Sequence, residues 1–241
     1  MLSRSDGNLS VDSSDAAILG AFIHCATKNI FLDELGPEGS KSWRGFLIMN
    51  NASYNATCDH LLARGDESPF WDDVRTPAKE TKAQIIARSF KDAFELLESK
   101  LGSDRDRWRW GDLHTYVWET EGSKMAPHMG MVQRFALWSL WSYFNRGPYP
   151  APGDHTTLNV SAYRIGRDFG TWLIPAMRII VDFGLNEPMY AMNSSGQSDN
   201  PSSSHYDDAI PAWLKGDYIP MPFAEEAVKK KYDKVLTLSP R

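Results

Sequence analysis

The chain has 241 residues, 42% hydrophobic and 24% charged, with a formal net charge of -5; this is enough for one large domain or two small ones around a substantial core. Its Lys and Arg are scattered through a mildly acidic sequence, which excludes the clustered basic face that nucleic acid requires. No apolar run approaches the about 18 residues of a membrane span, so no membrane partner is expected.

In chain order, Asp12 to Leu35 reads as a helix. Asp12 and Ser13 are capping types, Leu19, Phe22, Ile23, Ala26 and Ile30 recur at three- and four-residue steps, and Gly36-Pro37 stops the pattern. Residues 38–69 are polar and irregular and predict a surface loop with one short element near Gly45–Met49. The next helix is predicted from Pro77 to Leu101, capped by Thr76, with Ile86, Phe90, Ala93, Phe94, Leu97 and Leu101 on one apolar stripe. From Arg109, the alternation of Leu113, Thr115, Val117 and Glu119 predicts a short strand. Residues 131–144 are apolar nearly all round, which fits a helix that is buried or lies against a partner chain.

Residues 145–154 carry three prolines and predict a rigid loop outside regular structure. Thr156–Tyr163, Ala176–Phe183 and Met189–Met192 are rich in strand formers and are expected to be neighbours in one sheet. Asn193–Ser204 is almost wholly small and polar, a loop. Two short helices, Asp207–Leu214 and Phe223–Tyr232, and an extended tail, Val235–Leu238, complete the α+β reading, with helices in the first half and short strands in the second.

Few constellations carry chemistry. His24, Cys25, Cys58 and His60 are zinc-binding types, but adjacent helical residues face apart and the spacing fits no common zinc pattern, so no metal ligand is assigned. The two cysteines allow at most one disulfide. His205 beside Asp207 and Asp208 follows a serine-rich loop, yet no G-x-S-x-G elbow exists, and a capping or loop-pinning role is the better expectation. Glu80, Glu95 and Glu98 lie among Lys79, Lys82, Lys91 and Lys100, where ion pairing and solvation account for them. Sequons at Asn8, Asn51, Asn55, Asn159 and Asn193 decide nothing by themselves. Polar Ser3, Arg4, Ser5 and Asp6 follow Met1 where a signal peptide would be apolar, so none is expected there.

Several blocks read together carry a resemblance. They are Asp12-Ser13-Ser14-Asp15 with Asp33-Glu34-Leu35-Gly36; Trp71 to Pro77; Trp108-Arg109-Trp110-Gly111-Asp112-Leu113-His114; Asn145-Arg146-Gly147-Pro148 through Asp154; and Gly196-Gln197-Ser198-Asp199-Asn200-Pro201 with His205-Tyr206-Asp207-Asp208 and Trp213 to Tyr218. In this order they resemble the C-terminal region of the penicillin amidase family. Asp199 departs from the Gly-Gln-Ser-Gly-Asn-Pro common in that family.

The resemblance covers residues 1–241 as a single segment, the C-terminal region of the family's β chain. It implies part of a layered αββα N-terminal-nucleophile hydrolase, in which a serine freed by self-cleavage attacks an amide and its own α-amino group serves as base. That serine and the oxyanion-hole residues lie upstream of the matched region, so no catalytic, cofactor-binding or metal residue is carried onto this chain. Ser3 and Ser5 precede the wrong block. Calcium ligands found in many members also fall outside the match. The implied partners are the remaining N-terminal part of the acylase, meaning the α chain and the start of the β chain, and a small acyl-amide substrate. The full-length protein is expected to be periplasmic or extracytoplasmic. The chain alone is expected to be inactive, and poorly soluble or dimeric. The alternative is a free-standing, non-catalytic scaffold that presents the Trp-rich 131–144 segment.

Overall fold

Ser13 begins the first helix by accepting a hydrogen bond from the Ala16 amide at 3.1 Å, and α1 then runs over Ser14–Leu35. The computed structural model describes residues 6–52, 56–63, 66–121 and 129–238. These form two compact units, one comprising residues up to Leu137 with Asn145–Ile174, the other Trp138–Phe144 with residues from Pro175 onward.

The first unit is mainly helical. α1 is buried on nearly every side, with Ala17, Ala21, Ala26, Ile30 and Phe31 all inside the core, so the expected single stripe understates its burial. The predicted 38–69 loop with one short element near Gly45–Met49 is instead two helices, α2 (Lys41–Ala52), which takes in that element, and α3 (Ala56–Ala63). Burial of Trp43, Leu47 and Cys58 outweighs the weak helix propensity of Gly45, Asn50 and Asn51. α4 spans Lys82–Leu101, not Pro77 onward. Its start is set by a capping box in which the Gln84 amide donates to Thr81 Oγ1 and the Thr81 amide to Gln84 Oε1 at 2.8 Å. Thr76 is occupied elsewhere, its hydroxyl donating to Glu80 Oε1 at 2.8 Å.

α1 and α4 lie against each other through stacked Phe22 and Phe90, 4.1 Å between centroids, and through Asn29 Nδ2 donating to Asp92 Oδ2 at 2.7 Å. Each aliphatic side chain buried in this contact, Ile30 or Leu97 for example, contributes about 1.5–3 kcal/mol.

A one-turn helix, α5 (Trp110–Leu113), leads into β1 (Thr115–Trp118). Its antiparallel partner is β2 (Arg146–Pro150), which corrects the expectation that residues 145–154 lie wholly outside regular structure. The register skips between Tyr116 and Trp118, where Gly147 adopts φ +111 and passes so close that a Cβ would sit 2.6 Å from the Tyr116 carbonyl. That bulge lets a proline-containing segment pair at an edge. β3 is only Ala162–Tyr163, and it pairs with β4 (Thr171–Leu173), an element the sequence pattern missed. The expected strand from Thr156 fails because Asp154 Oδ1 accepts from both the amide and the hydroxyl of Thr156, folding the chain into turns. α6 (Met131–Ser139) buries none of its residues, which removes the buried-helix option for this segment, and α7 (Trp141–Phe144) follows.

The second unit contains a three-stranded antiparallel sheet, β5 (Met177–Val181), β6 (Met189–Asn193) and β7 (Ile219–Met221), in the order β5-β6-β7. β3 pairs with β4 in a sheet of its own, so the three expected strands are not neighbours in one sheet. α8 (Ile210–Lys215) ends at Gly216 with φ +79, and α9 (Glu225–Lys231) follows β7. Arg178 clamps α8 to the sheet: its guanidinium lies 3.9 Å from the Trp213 ring centre, and its Nη1 donates to the Trp213 carbonyl at 2.7 Å. The molecule is α+β, with helices dominating the first half and short antiparallel strands the second.

Candidate functional site

In the first unit, α2 and the turn after β3 enclose a cleft of about 570 Å³. Its floor is buried Trp43, Leu47 and Asn51, and its rim carries Arg44, Arg164, Arg167 and the half-exposed Trp172. Two polar side chains fix that turn from opposite sides. Asn51 Oδ1 accepts from the Ile165 amide at 3.0 Å while its Nδ2 donates to the Leu47 carbonyl at 2.7 Å. His24 Nδ1 accepts from the Gly166 amide at 3.2 Å. Gly166 has φ +84 and a Cβ there would lie 2.9 Å from Leu47, so glycine is what lets the turn close on α2. The cleft offers indole faces and guanidinium donors. Among its lining residues Glu38 is the one carboxylate, and it is paired with Lys28. This arrangement can bind, but it contains no nucleophile with an adjacent base.

A second polar centre is fully enclosed. The Trp110 indole stacks on His114 at 4.7 Å and donates to the Gly153 carbonyl at 3.0 Å. His114 Nδ1 donates to the Phe169 carbonyl at 2.6 Å, and its Nε2 lies 3.2 Å from Ser161 Oγ, which also contacts the Pro152 carbonyl. Burial pulls the His114 pKa down to about 4 and that of His24 to about 3, so both imidazoles are neutral at ordinary pH. Buried and already hydrogen-bonded, they position backbone.

The block Trp71 to Pro77 is a charge knot. Asp73 receives two hydrogen bonds from the Arg75 guanidinium, at 2.8 and 2.9 Å, one from the Arg75 amide at 3.2 Å and one from Arg88 at 3.2 Å, and the guanidinium bonds of Arg75 lead in lowering its pKa to about 2. The Val74 amide donates to Asp33 Oδ2 at 2.8 Å, tying the knot to the end of α1.

The residues singled out in the sequence separate as follows. His24 and Cys25 lie in α1, and Cys58 and His60 in α3. Both cysteines are buried, and burial raises the Cys25 pKa to about 11. Among the described residues no group of three or more His, Cys, Asp or Glu is placed to hold a metal ion. Glu95 and Glu98 pair with Lys91 and Arg105 on exposed surface. His205 Nδ1 lies 2.8 Å from Asp208 Oδ2, also exposed, while Ser203 Oγ accepts from the His205 amide. His205 is thus pinned within its loop through Asp208, where the expectation named Asp207. Ser3, Ser5 and Asn55 lie outside the described residues.

The loop Gly196–Pro201 returns on itself. The Gly196 amide donates to the Tyr206 carbonyl at 3.1 Å and the Ser198 amide to the His205 carbonyl at 3.0 Å; a Cβ on Gly196 would sit 1.9 Å from the His205 carbonyl oxygen. The Tyr206 hydroxyl donates to the Phe144 carbonyl, and Ser202 meets the Tyr143 hydroxyl at 2.7 Å. The family model described as penicillin amidase matches residues 1–230. The chain belongs to the penicillin amidase family.

Acyl-homoserine lactone acylase QuiP of Pseudomonas aeruginosa is 57% identical over 236 residues, covering 98% of this chain and 28% of its own length. The proteins of that name from Pseudomonas fluorescens and Pseudomonas syringae pv. syringae are 46% and 45% identical over the same span, of which the chain covers 26% and 27%. The chain thus spans little more than a quarter of the curated relatives it matches. Within this penicillin amidase segment, the Trp-Gly-x-x-His block builds the sealed centre around His114, and the Gly-Gln-Ser-Asp-Asn-Pro block builds the folded-back loop. Sequence reasoning did not find the cleft: Asn51 and Ile165 meet across 114 residues, and no local pattern signals such a contact.

Proposed function

We propose that this chain is the C-terminal segment of an amide hydrolase that removes the acyl group from N-acyl-homoserine lactones, and that it completes the fold and supplies one wall of the molecule. The observation that carries the reading is the 57% identity over 236 residues to a protein named for that activity. Water splits the amide, giving a carboxylic acid and the free amine of homoserine lactone, through an acyl-enzyme formed on a serine upstream of this segment. The sealed His114 and the nucleophile-free cleft support a structural share in that reaction. The shared acylase name of the relatives favours this reading over a free-standing scaffold. On the same reading the full-length protein is extracytoplasmic, this segment needs no cofactor, and any calcium is held by residues outside it.

The test joins the upstream portion of the Pseudomonas aeruginosa relative to this chain and assays release of free amine from an N-acyl-homoserine lactone. The joined protein should hydrolyse it and the 241-residue chain alone should not. A folded but inactive joined protein, or turnover by the chain alone, would overturn the reading.

A further inference from the structure

The two faces of the β5-β6-β7 sheet differ. One carries Arg178 opposite the buried Met192, under the Trp213 side chain of α8, and is open only toward its end, where Ile180 is 48% exposed. The other begins with Met177, Ile179 and Val181, exposed to 64%, 43% and 50%. Directly opposed residues in an antiparallel ladder share a face. Ile179 pairs with Ala191 and Val181 with Met189, which in turn pair with Ile219 and Met221, both exposed. Met177 pairs with Asn193, so this face is an uncharged surface that is aliphatic except for one amide at its end. β5 also reads Met-Arg-Ile-Ile-Val, with no polar alternation beyond the clamped Arg178, the pattern of a strand covered on both sides.

We propose that this bare face is the seat of an apolar layer supplied by the upstream portion of the same acylase, an inference that rests on the reading above. Two observations select that occupant. The relatives carry nearly three quarters of their length outside the matched part. The face itself is small: strands of five, five and three residues cover roughly 200 Å², far below the about 800 Å² per partner of a stable dimer. A second copy would gain little there, whereas a tethered layer needs no association step. The lack of charge excludes an acidic or basic ligand.

Single cysteines at Ile179→Cys and Ile219→Cys report the face directly, since native Cys25 and Cys58 are buried. In the isolated chain both new thiols should react rapidly with a maleimide. In the joined protein their labelling should slow by at least about tenfold, the mark of a site that reacts only through opening. Equal labelling in an active joined protein overturns this inference and leaves the acylase reading standing. Protection in an inactive joined protein supports the face and counts against the activity. Equal labelling without activity defeats both. Protection in the isolated chain that grows with its concentration assigns the face to a second copy and also overturns the inference.

Discussion

The indole Nε1 of Trp110 donates to the carbonyl of Gly153 across 43 residues of sequence, and this bond joins α5 to the turn that follows β2. Around it, Gly20 of α1 lies so near the indole that a Cβ would stand 2.5 Å from the ring. Trp110→Phe should therefore destabilise the first unit by about 1–3 kcal/mol by leaving the Gly153 carbonyl unpaired. Gly20→Ala should cost a similar amount, about 1–3 kcal/mol, by overpacking. Urea midpoints of the purified chain check both; an unchanged midpoint for either would show that the relationship carries no stability.

Gly196→Ala is expected to cost about 3 kcal/mol or more, because all three nearest atoms are backbone and none can swing away. Limited proteolysis reads it locally: cleavage within Asn193–Ser204 should accelerate in the variant. Equal cleavage rates would mean that the loop has room the structure does not show.

Asp73→Ala removes the acceptor shared by Arg75 and Arg88, a loss of about 2–3 kcal/mol at neutral pH. The folded-state pKa is depressed to about 2 from 3.8, so the contribution is present above about pH 4 and disappears as pH falls toward 2. Chemical denaturation at pH 7 and at pH 3 should show the gap between wild type and variant narrowing. A gap that is constant with pH would assign the loss to packing.

Two imidazoles give the molecule an acid limit. His114 and His24 are held neutral in the fold by burial, with pKa values lowered from 6.5 to about 4 and about 3, while the unfolded chain protonates both below 6.5. These two imidazoles should therefore lower stability as pH drops from 6.5 toward 4, together taking up about two protons on unfolding near pH 5, while Glu34, raised by burial to about 7, releases one and His155, also lowered by burial, adds to the uptake. Calorimetry in buffers of different ionisation heat measures that uptake. The uptake at pH 5 should fall when His114 and His24 are replaced; an unchanged uptake would mean that the folded imidazoles are charged.

The elements legible in the sequence are those whose signals are local. Ser13 with the apolar run behind it, Gly102 after Leu101 and the small polar residues of 193–204 each mark structure by their own chemistry. α2 was illegible because its helix depends on Trp43 and Leu47 finding a core made by distant residues, and on Asn51 reaching Ile165. β2 was hidden by its own prolines, which pair only because Gly147 bulges. Of the site, the Trp-Gly-x-x-His block was visible as a pattern, but its role was not. Whether a histidine faces solvent or is sealed under Phe169 depends on residues 55 positions away.

The contact of His24 with Gly166 spans 142 residues, and that of Asn51 with Ile165 spans 114. α1 and α2 therefore leave the ribosome long before the turn that locks them, and for that interval α1 depends on α4 for cover. Closing so long a loop costs entropy before any contact repays it. A nascent chain halted before Ile165 would hold its first helices in a half-built core with both polar anchors idle. Completion of this unit is timed by the arrival of one short turn.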